Sequence, residues 1–259
     1  MNTITADEIR RRKVAQGHAP VSVLTAYDYP TARLLDECGV DMLLVGDSLG
    51  MVVLGYPDTT QVTLDHMTHH LSAVARGAER ALIIGDLPYR TYETASQAVE
   101  TAQALVAAGA HAVKLEGGTE KEPQIRAILE AGIPMVGHLG MLPQSVKEEG
   151  GYKKKGKTPA QADRLLEDAR CLEAAGCCAI ILESVIPATA QLLTEDLAIP
   201  TIGIGCGRTT CDGEVAVITD LIGSYPWFVP PFATPRAQVA TDTQRAVQEY
   251  IAHIGQKVD

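Results

Sequence analysis

Followed as a string of apolar and polar positions, the chain repeats one unit. A short apolar run ends in or near a small residue, and a charged residue or histidine closes it. The units are Leu43-Leu44-Val45-Gly46-Asp47, Ala81-Leu82-Ile83-Ile84-Gly85-Asp86, Ala112-Val113-Lys114-Leu115-Glu116, Pro134-Met135-Val136-Gly137-His138 and Ala179-Ile180-Ile181-Leu182-Glu183. Strands of a parallel sheet covered on both faces read as nearly continuous Val/Ile/Leu, and a charge there is costly unless it sits at the strand end. The pattern predicts strands at 21–25, 42–45, 82–85, 112–115, 134–137, 179–182 and 201–204, with an eighth within 215–218.

Helical stretches fill the intervals. Thr5 with Glu8 has capping-box spacing and opens a short leading helix over 5–16; others are expected at 31–38, 63–76, 94–108, 120–131, 159–175, 187–196 and 238–253. Glycines at 39, 77, 109, 132 and 176 stand where such helices should stop. Strand–helix alternation implies an α/β chain with a parallel sheet. Eight strands, with the long loops (48–62 and 141–158) following strands rather than helices, favour a closed (β/α)8 TIM barrel, one domain over 1–259. In such barrels the loops at the C-terminal ends of the strands build the site.

Composition changes this picture little. The 259 residues suit one barrel, and with 46% hydrophobic but only 4% aromatic residues the core must be aliphatic. The net charge of −10 argues against nucleic-acid binding, though a metal could still bring an anionic small substrate to an acidic protein. The first sixteen residues lack an apolar signal region, and no run is long enough for a membrane span. Six cysteines form no C-x-x-C pair, so reduced thiols in a cytoplasmic protein are expected.

Asp47, Asp86 and Glu116 close neighbouring strands. Three converging carboxylates repel one another unless a hard cation lies between them, and oxygen ligands suit Mg²⁺. Each acid alone could instead cap a helix or pair with a lysine. Lys114 points to the same strand face as Glu116, and either a structural ion pair or a bound carboxylate could satisfy it. His138 could donate to a substrate oxygen or be a satisfied structural histidine. Glu183 follows an apolar run, where desolvation would raise its pKa toward that of a general base. His66, His69 and His70 have metal-like spacing on one helix, but a partly exposed helix face explains them better. Gly203-Ile204-Gly205-Cys206-Gly207 reads as a tight strand exit. The basic run Lys153–Lys157 could be solvated or part of a mobile lid.

Several of these stretches, with their neighbours, resemble the ketopantoate hydroxymethyltransferase (3-methyl-2-oxobutanoate hydroxymethyltransferase) family. They are Thr25-Ala26-Tyr27-Asp28, Val45-Gly46-Asp47-Ser48-Leu49-Gly50, Gly85-Asp86-Leu87-Pro88, Val113-Lys114-Leu115-Glu116-Gly117-Gly118, Gly137-His138-Leu139-Gly140, Gly150-Gly151-Tyr152-Lys153 and 199–205. The resemblance implies a barrel of the phosphoenolpyruvate mutase group. The implied activity transfers a hydroxymethyl group from 5,10-methylenetetrahydrofolate to 3-methyl-2-oxobutanoate, giving 2-dehydropantoate for pantothenate biosynthesis through a Mg²⁺-stabilised enolate. It also implies Asp47, Asp86 and Glu116 as Mg²⁺ ligands, and Asp47, Ser48, Asp86, Lys114 and His138 as ketoacid contacts. Glu183 is the implied proton acceptor, and the implied assembly is a homo-oligomer, often a decamer. A Mg²⁺-dependent 2-oxoacid carbon–carbon lyase or mutase is the nearest alternative, but the K-x-C-G-H loop typical of those enzymes is missing from the sequence.

Overall fold

Alternation of aliphatic side chains accounts for the barrel of the computed structural model, which describes residues 3–148, 150–207 and 209–255. The chain opens with helix α1 (Ala6–Arg10), and then strand and helix alternate: β1 (Val21–Thr25), α2 (Tyr29–Glu37), β2 (Met42–Val45), α3 (Leu49–Val52), α4 (Leu64–Gly77), β3 (Leu82–Asp86), α5 (Ala95–Ala107) and β4 (Ala112–Glu116). The second half continues with α6 (Glu122–Glu130), β5 (Met135–Gly140), α7 (Pro159–Ala175), β6 (Ala179–Glu183), α8 (Pro187–Asp196), β7 (Thr201–Ile204), β8 (Gly213–Ala216), α9 (Ile218–Ile222) and α10 (Val239–Gly255). The strands close into one barrel in sequence order, with parallel pairing from β1 through β8.

Caps set the helix starts. Thr63, Thr94 and Thr158 each accept from the backbone N–H three residues on, and Pro159 and Pro187 occupy first-turn positions. The barrel interior is a cluster that includes Val21, Val23, Met42, Leu44, Leu82, Ile84, Ala112, Val136, Ala179, Ile181, Ile202 and Val215, with Ile9 of α1 packed against it. These are every second residue of their strands, as the two-residue side-chain period requires.

Three expectations need correction. The leading helix is α1 alone, followed by a 3₁₀ turn at Val14–Gln16, because Lys13 turns inward to a buried pair with Asp212 at 2.7 Å. The loop after β2 contains α3 and a 3₁₀ turn at Thr59–Gln61. The eighth strand begins at Gly213, two residues before the expected window, because no helix among the described residues of its connection from β7 marks it.

The chain divides into two compact units, Met1–Val215 and Ala216–Asp259. The first contains all the candidate site residues. Within the second, α10 carries Val247, Tyr250, Ile251 and Ile254 exposed on one side. No helix among the described residues is long and apolar enough to cross a membrane.

Candidate active site

The same two-residue period that builds the core builds the site. One step beyond Ile84, Ala112, Val136 and Ile181 on the inward face stand Asp86, Lys114, His138 and Glu183, and Glu116 follows Lys114. Strand pairing sets Asp86 beside Lys114 and Glu116 beside His138. His138 therefore lies inside β5, which runs three residues further than the pattern suggested. Asp47, just past β2, joins the group through its backbone N–H, which donates to Asp86 Oδ2 at 3.4 Å. Ser48 faces elsewhere in part: its Oγ is 2.8 Å from the Tyr27 hydroxyl.

These side chains form one chain of contacts. Lys114 Nζ is 2.7 Å from Asp86 Oδ1 and 3.2 Å from His138 Nδ1. An ammonium has only hydrogens to give, so Nδ1 is the acceptor and the neutral imidazole carries its proton on Nε2. Nε2 lies 3.2 Å from Glu183 Oε2 but forms no well-directed hydrogen bond there. With no hydrogen on Nδ1, Glu116 Oε1, 3.8 Å away, is left without a partner.

Electrostatics follows from burial and sign. Four carboxylates (Asp47, Asp86, Glu116, Glu183) surround one ammonium. Burial, reinforced by Asp86 and moderated by Lys114, raises the Asp47 pKa to about 7. Burial also raises Glu116 well above the carboxylate range, against the opposing pull of Lys114. Glu183 is raised to about 7 by burial, with Lys114 lowering it in part. Its side chain keeps 15% of its surface exposed, against 2% for Asp86 and Glu116, so it is the acid reachable from the barrel mouth. Burial alone would lower Lys114, but Asp86, Glu116 and Asp47 raise it overall, so it stays charged. Burial and the Lys114 charge depress His138 well below the usual histidine value, consistent with a neutral ring.

Backbone geometry fixes Glu183. A Cβ at Gly140, where φ is +98°, would lie 2.3 Å from the Glu183 carbonyl oxygen, which accepts from Met141 N at 2.8 Å. Only glycine allows β5 to pass so close. Ser184 then takes the left-handed conformation (φ +51°) and turns the chain away.

Gln144 is a site residue that the sequence did not mark. It is buried in the 3₁₀ turn Pro143–Ser145, at the root of the loop after β5. Its Nε2 donates to Asp47 Oδ2 at 2.8 Å and to the Leu87 carbonyl at 3.0 Å, and its backbone N–H donates to Glu116 Oε2 at 3.1 Å. A neutral glutamine among loop residues gives no periodic or charge signal. Further out, Lys147 pairs with Asp58 at 2.7 Å, tying the loop after β5 to the loop after β2. The histidines of α4 serve structure: His66 closes a capping box with Thr63, and His70 Nδ1 is 2.6 Å from the Tyr27 carbonyl. All six cysteines are free thiols.

A hard divalent cation fits this donor set. The acids outnumber the ammonium, the donors are oxygens, and the buried Glu116 Oε1 has no hydrogen-bond partner while Asp86 Oδ1 has only its ion pair with Lys114. Among the described residues no three His, Cys, Asp or Glu side chains are arranged, as they stand, to hold a metal ion; Lys114 and Gln144 hold some of the carboxylate oxygens instead.

Comparison with known proteins agrees with the resemblance. Solved structures with the same fold include phosphoenolpyruvate phosphomutase from Streptomyces platensis subsp. rosaceus. It has a TM-score of 0.64, 14% identity and coverage of 98% of this chain and 88% of that one. Another is 2,3-dimethylmalate lyase, a PEP mutase/isocitrate lyase superfamily member, with a TM-score of 0.64, 18% identity and coverage of 97% and 89%. At such identities the likeness is one of fold. Sequence relatives are much nearer. The 3-methyl-2-oxobutanoate hydroxymethyltransferase of Oleidesulfovibrio alaskensis is 51% identical over 249 residues, 95% of this chain and 85% of the relative. That of Ignicoccus hospitalis is 49% identical over 255 residues, 98% and 95%. The profile of the ketopantoate hydroxymethyltransferase family matches residues 3–258, and the chain belongs to that family.

Proposed function

We propose that this barrel deprotonates a 2-oxoacid at C3, with Glu183 as the base, and joins the resulting carbon nucleophile to a folate-borne one-carbon unit. The overall activity is that of a 3-methyl-2-oxobutanoate hydroxymethyltransferase, as in relatives about half identical over nearly the whole chain. The substrates are 3-methyl-2-oxobutanoate and 5,10-methylenetetrahydrofolate, and the product is 2-dehydropantoate. The observation that carries the reading is the partly exposed Glu183 carboxylate at the mouth, 3.2 Å from His138 Nε2, with the Lys114 ammonium on the other side of that ring.

Asp47, Asp86 and Glu116 would hold Mg²⁺. When bound, such an ion supplies Lewis-acid stabilisation of negative charge on the substrate's oxygens. Lys114, charged and buried, adds a fixed positive charge that favours the enolate over the ketone. His138, neutral with its proton on Nε2, offers a donor on the Glu183 side of the site. Ser48, whose Oγ is 2.8 Å from the Tyr27 hydroxyl, would contact the ketoacid from the β1–β2 side.

Glu183 takes the C3 proton, and the electron pair of that C–H bond becomes the enolate. C3 then bonds to the one-carbon unit; the carbon–nitrogen bonds to folate break, water supplies the hydroxyl oxygen, and tetrahydrofolate leaves. A raised pKa suits the base, because proton transfer is most effective when the pKa lies near working pH.

The exposed apolar face of α10 supports assembly with further copies of this chain, and we place the enzyme in the cytoplasm by its biosynthetic role. Turnover in the presence and absence of methylenetetrahydrofolate tests the function. Ketopantoate formed only with the folate supports it. A folate-independent cleavage or rearrangement of the ketoacid would favour the lyase or mutase reading.

A further inference from the structure

Gln144 is placed where the chemistry needs an arbiter between two carboxylates. Pro143 opens a 3₁₀ turn, so the next backbone N–H has no partner within the turn and donates to Glu116 Oε2 instead. The side chain reaches the other way, to Asp47 Oδ2. Its orientation is not free. The Leu87 carbonyl can only accept, so it fixes the amide nitrogen on that side, and the Tyr92 hydroxyl meets Oε1 at 2.6 Å on the other. Tyr92 is buried as well.

One residue thus occupies one oxygen on each of two acids from different strands. On Glu116 the remaining oxygen, Oε1, is buried with no hydrogen-bond partner. We propose that Gln144, oriented by Tyr92, is a positioning residue that turns Asp47 and Glu116 so that their remaining oxygens face a common divalent cation. This rests on the metal reading given above and goes beyond it by assigning a residue outside the ligand set. The inference also gives the loop after β5 a part in metal affinity, since Gln144 sits at its root.

The test is Mn²⁺ binding followed by electron paramagnetic resonance, with Mg²⁺ competition, on the full-length protein. Gln144→Met keeps the length and apolar volume but removes both donors of the amide. Loss of a hydrogen bond that orients a metal ligand costs about 10- to 100-fold in affinity, so the Mn²⁺ Kd should rise by at least about tenfold. Thr201→Val is the control, because Thr201 is also buried but its hydroxyl, 2.6 Å from that of Thr194, lies at the start of β7, the barrel end away from the site; its Mn²⁺ Kd should stay within about twofold of wild type. Tyr92→Phe deletes only the hydroxyl that holds the amide and should raise the Kd by more than twofold; it decides the matter if Gln144→Met fails to fold. Wild-type binding that survives unchanged in both site variants overturns the role of Gln144 and leaves the metal reading standing. A wild-type protein that binds no Mn²⁺ overturns both.

Discussion

Replacing Glu183 by glutamine separates chemistry from binding more sharply than any other single change. The amide has nearly the shape of the carboxylate and can remain beside His138 Nε2, 3.2 Å away in the native site, but it cannot accept the C3 proton. General-base catalysis contributes about 10²–10⁴-fold, equivalent to about 2.7–5.4 kcal/mol at 1.36 kcal/mol per decade. Exchange of the C3 proton of 3-methyl-2-oxobutanoate into D₂O, followed by proton NMR without folate, reads that step alone. The expected loss is at least about 100-fold, with ketoacid affinity by calorimetry within about threefold of wild type. The pH dependence provides a second reading of the same group. The base works when deprotonated, so exchange rises with pH and levels off above its pKa. With that pKa at about 7, the deprotonated fraction grows about tenfold from pH 6 to pH 8. Glutamine should abolish this limb together with the rate. Exchange within tenfold of wild type, or a variant that keeps the same limb near pH 7, would remove Glu183 from the base role.

Other substitutions probe the scaffold around that step. Asp86→Ala strands the buried Lys114 ammonium, which it contacts at 2.7 Å; Mn²⁺ and ketoacid titrations should both weaken, and denaturant unfolding should show a loss of about 3–5 kcal/mol. Normal affinity for both ligands would contradict its place in the site. Gly140→Ala forces a Cβ against the Glu183 carbonyl in a left-handed backbone position, at a cost of about 1–3 kcal/mol; kcat should fall more than KM rises if Glu183 is the base, because that side chain is displaced. At the opposite end of the barrel, Lys13→Met leaves Asp212 buried without its 2.7 Å partner. It should destabilise by about 3–5 kcal/mol while leaving ketoacid affinity unchanged, and a shift in affinity would show that the two barrel ends are coupled.

The barrel was legible because its signals are local and redundant. Thr158-Pro159 and Pro187 marked two helix starts, and short apolar runs marked seven of the strands to within a few residues. The eighth strand slipped because no helix among the described residues separates it from β7, and it opens with Gly213, a weak strand residue. The acids and Lys114 were legible as charges where apolar strands end. Their convergence at one barrel mouth was legible too, because Asp86 and Glu183 stand two residues beyond the inward Ile84 and Ile181; which oxygen meets which donor was not, since those contacts form only once eight strands close. Gln144 was hidden for another reason. It is uncharged, lies in a loop rich in lysine and glycine, and acquires its partners Asp47, Glu116, Leu87 and Tyr92 only through tertiary contact.

The most direct measurement is a crystal structure of the protein with Mg²⁺ and 3-methyl-2-oxobutanoate. The expected result is one cation in contact with oxygens of Asp47, Asp86 and Glu116 and with the ketoacid, and the Glu183 carboxylate about 3–3.5 Å from C3. A cation held elsewhere, or a ketoacid whose C3 faces away from Glu183, would contradict the assignment of this ring of strand-end side chains as the place where the enolate forms.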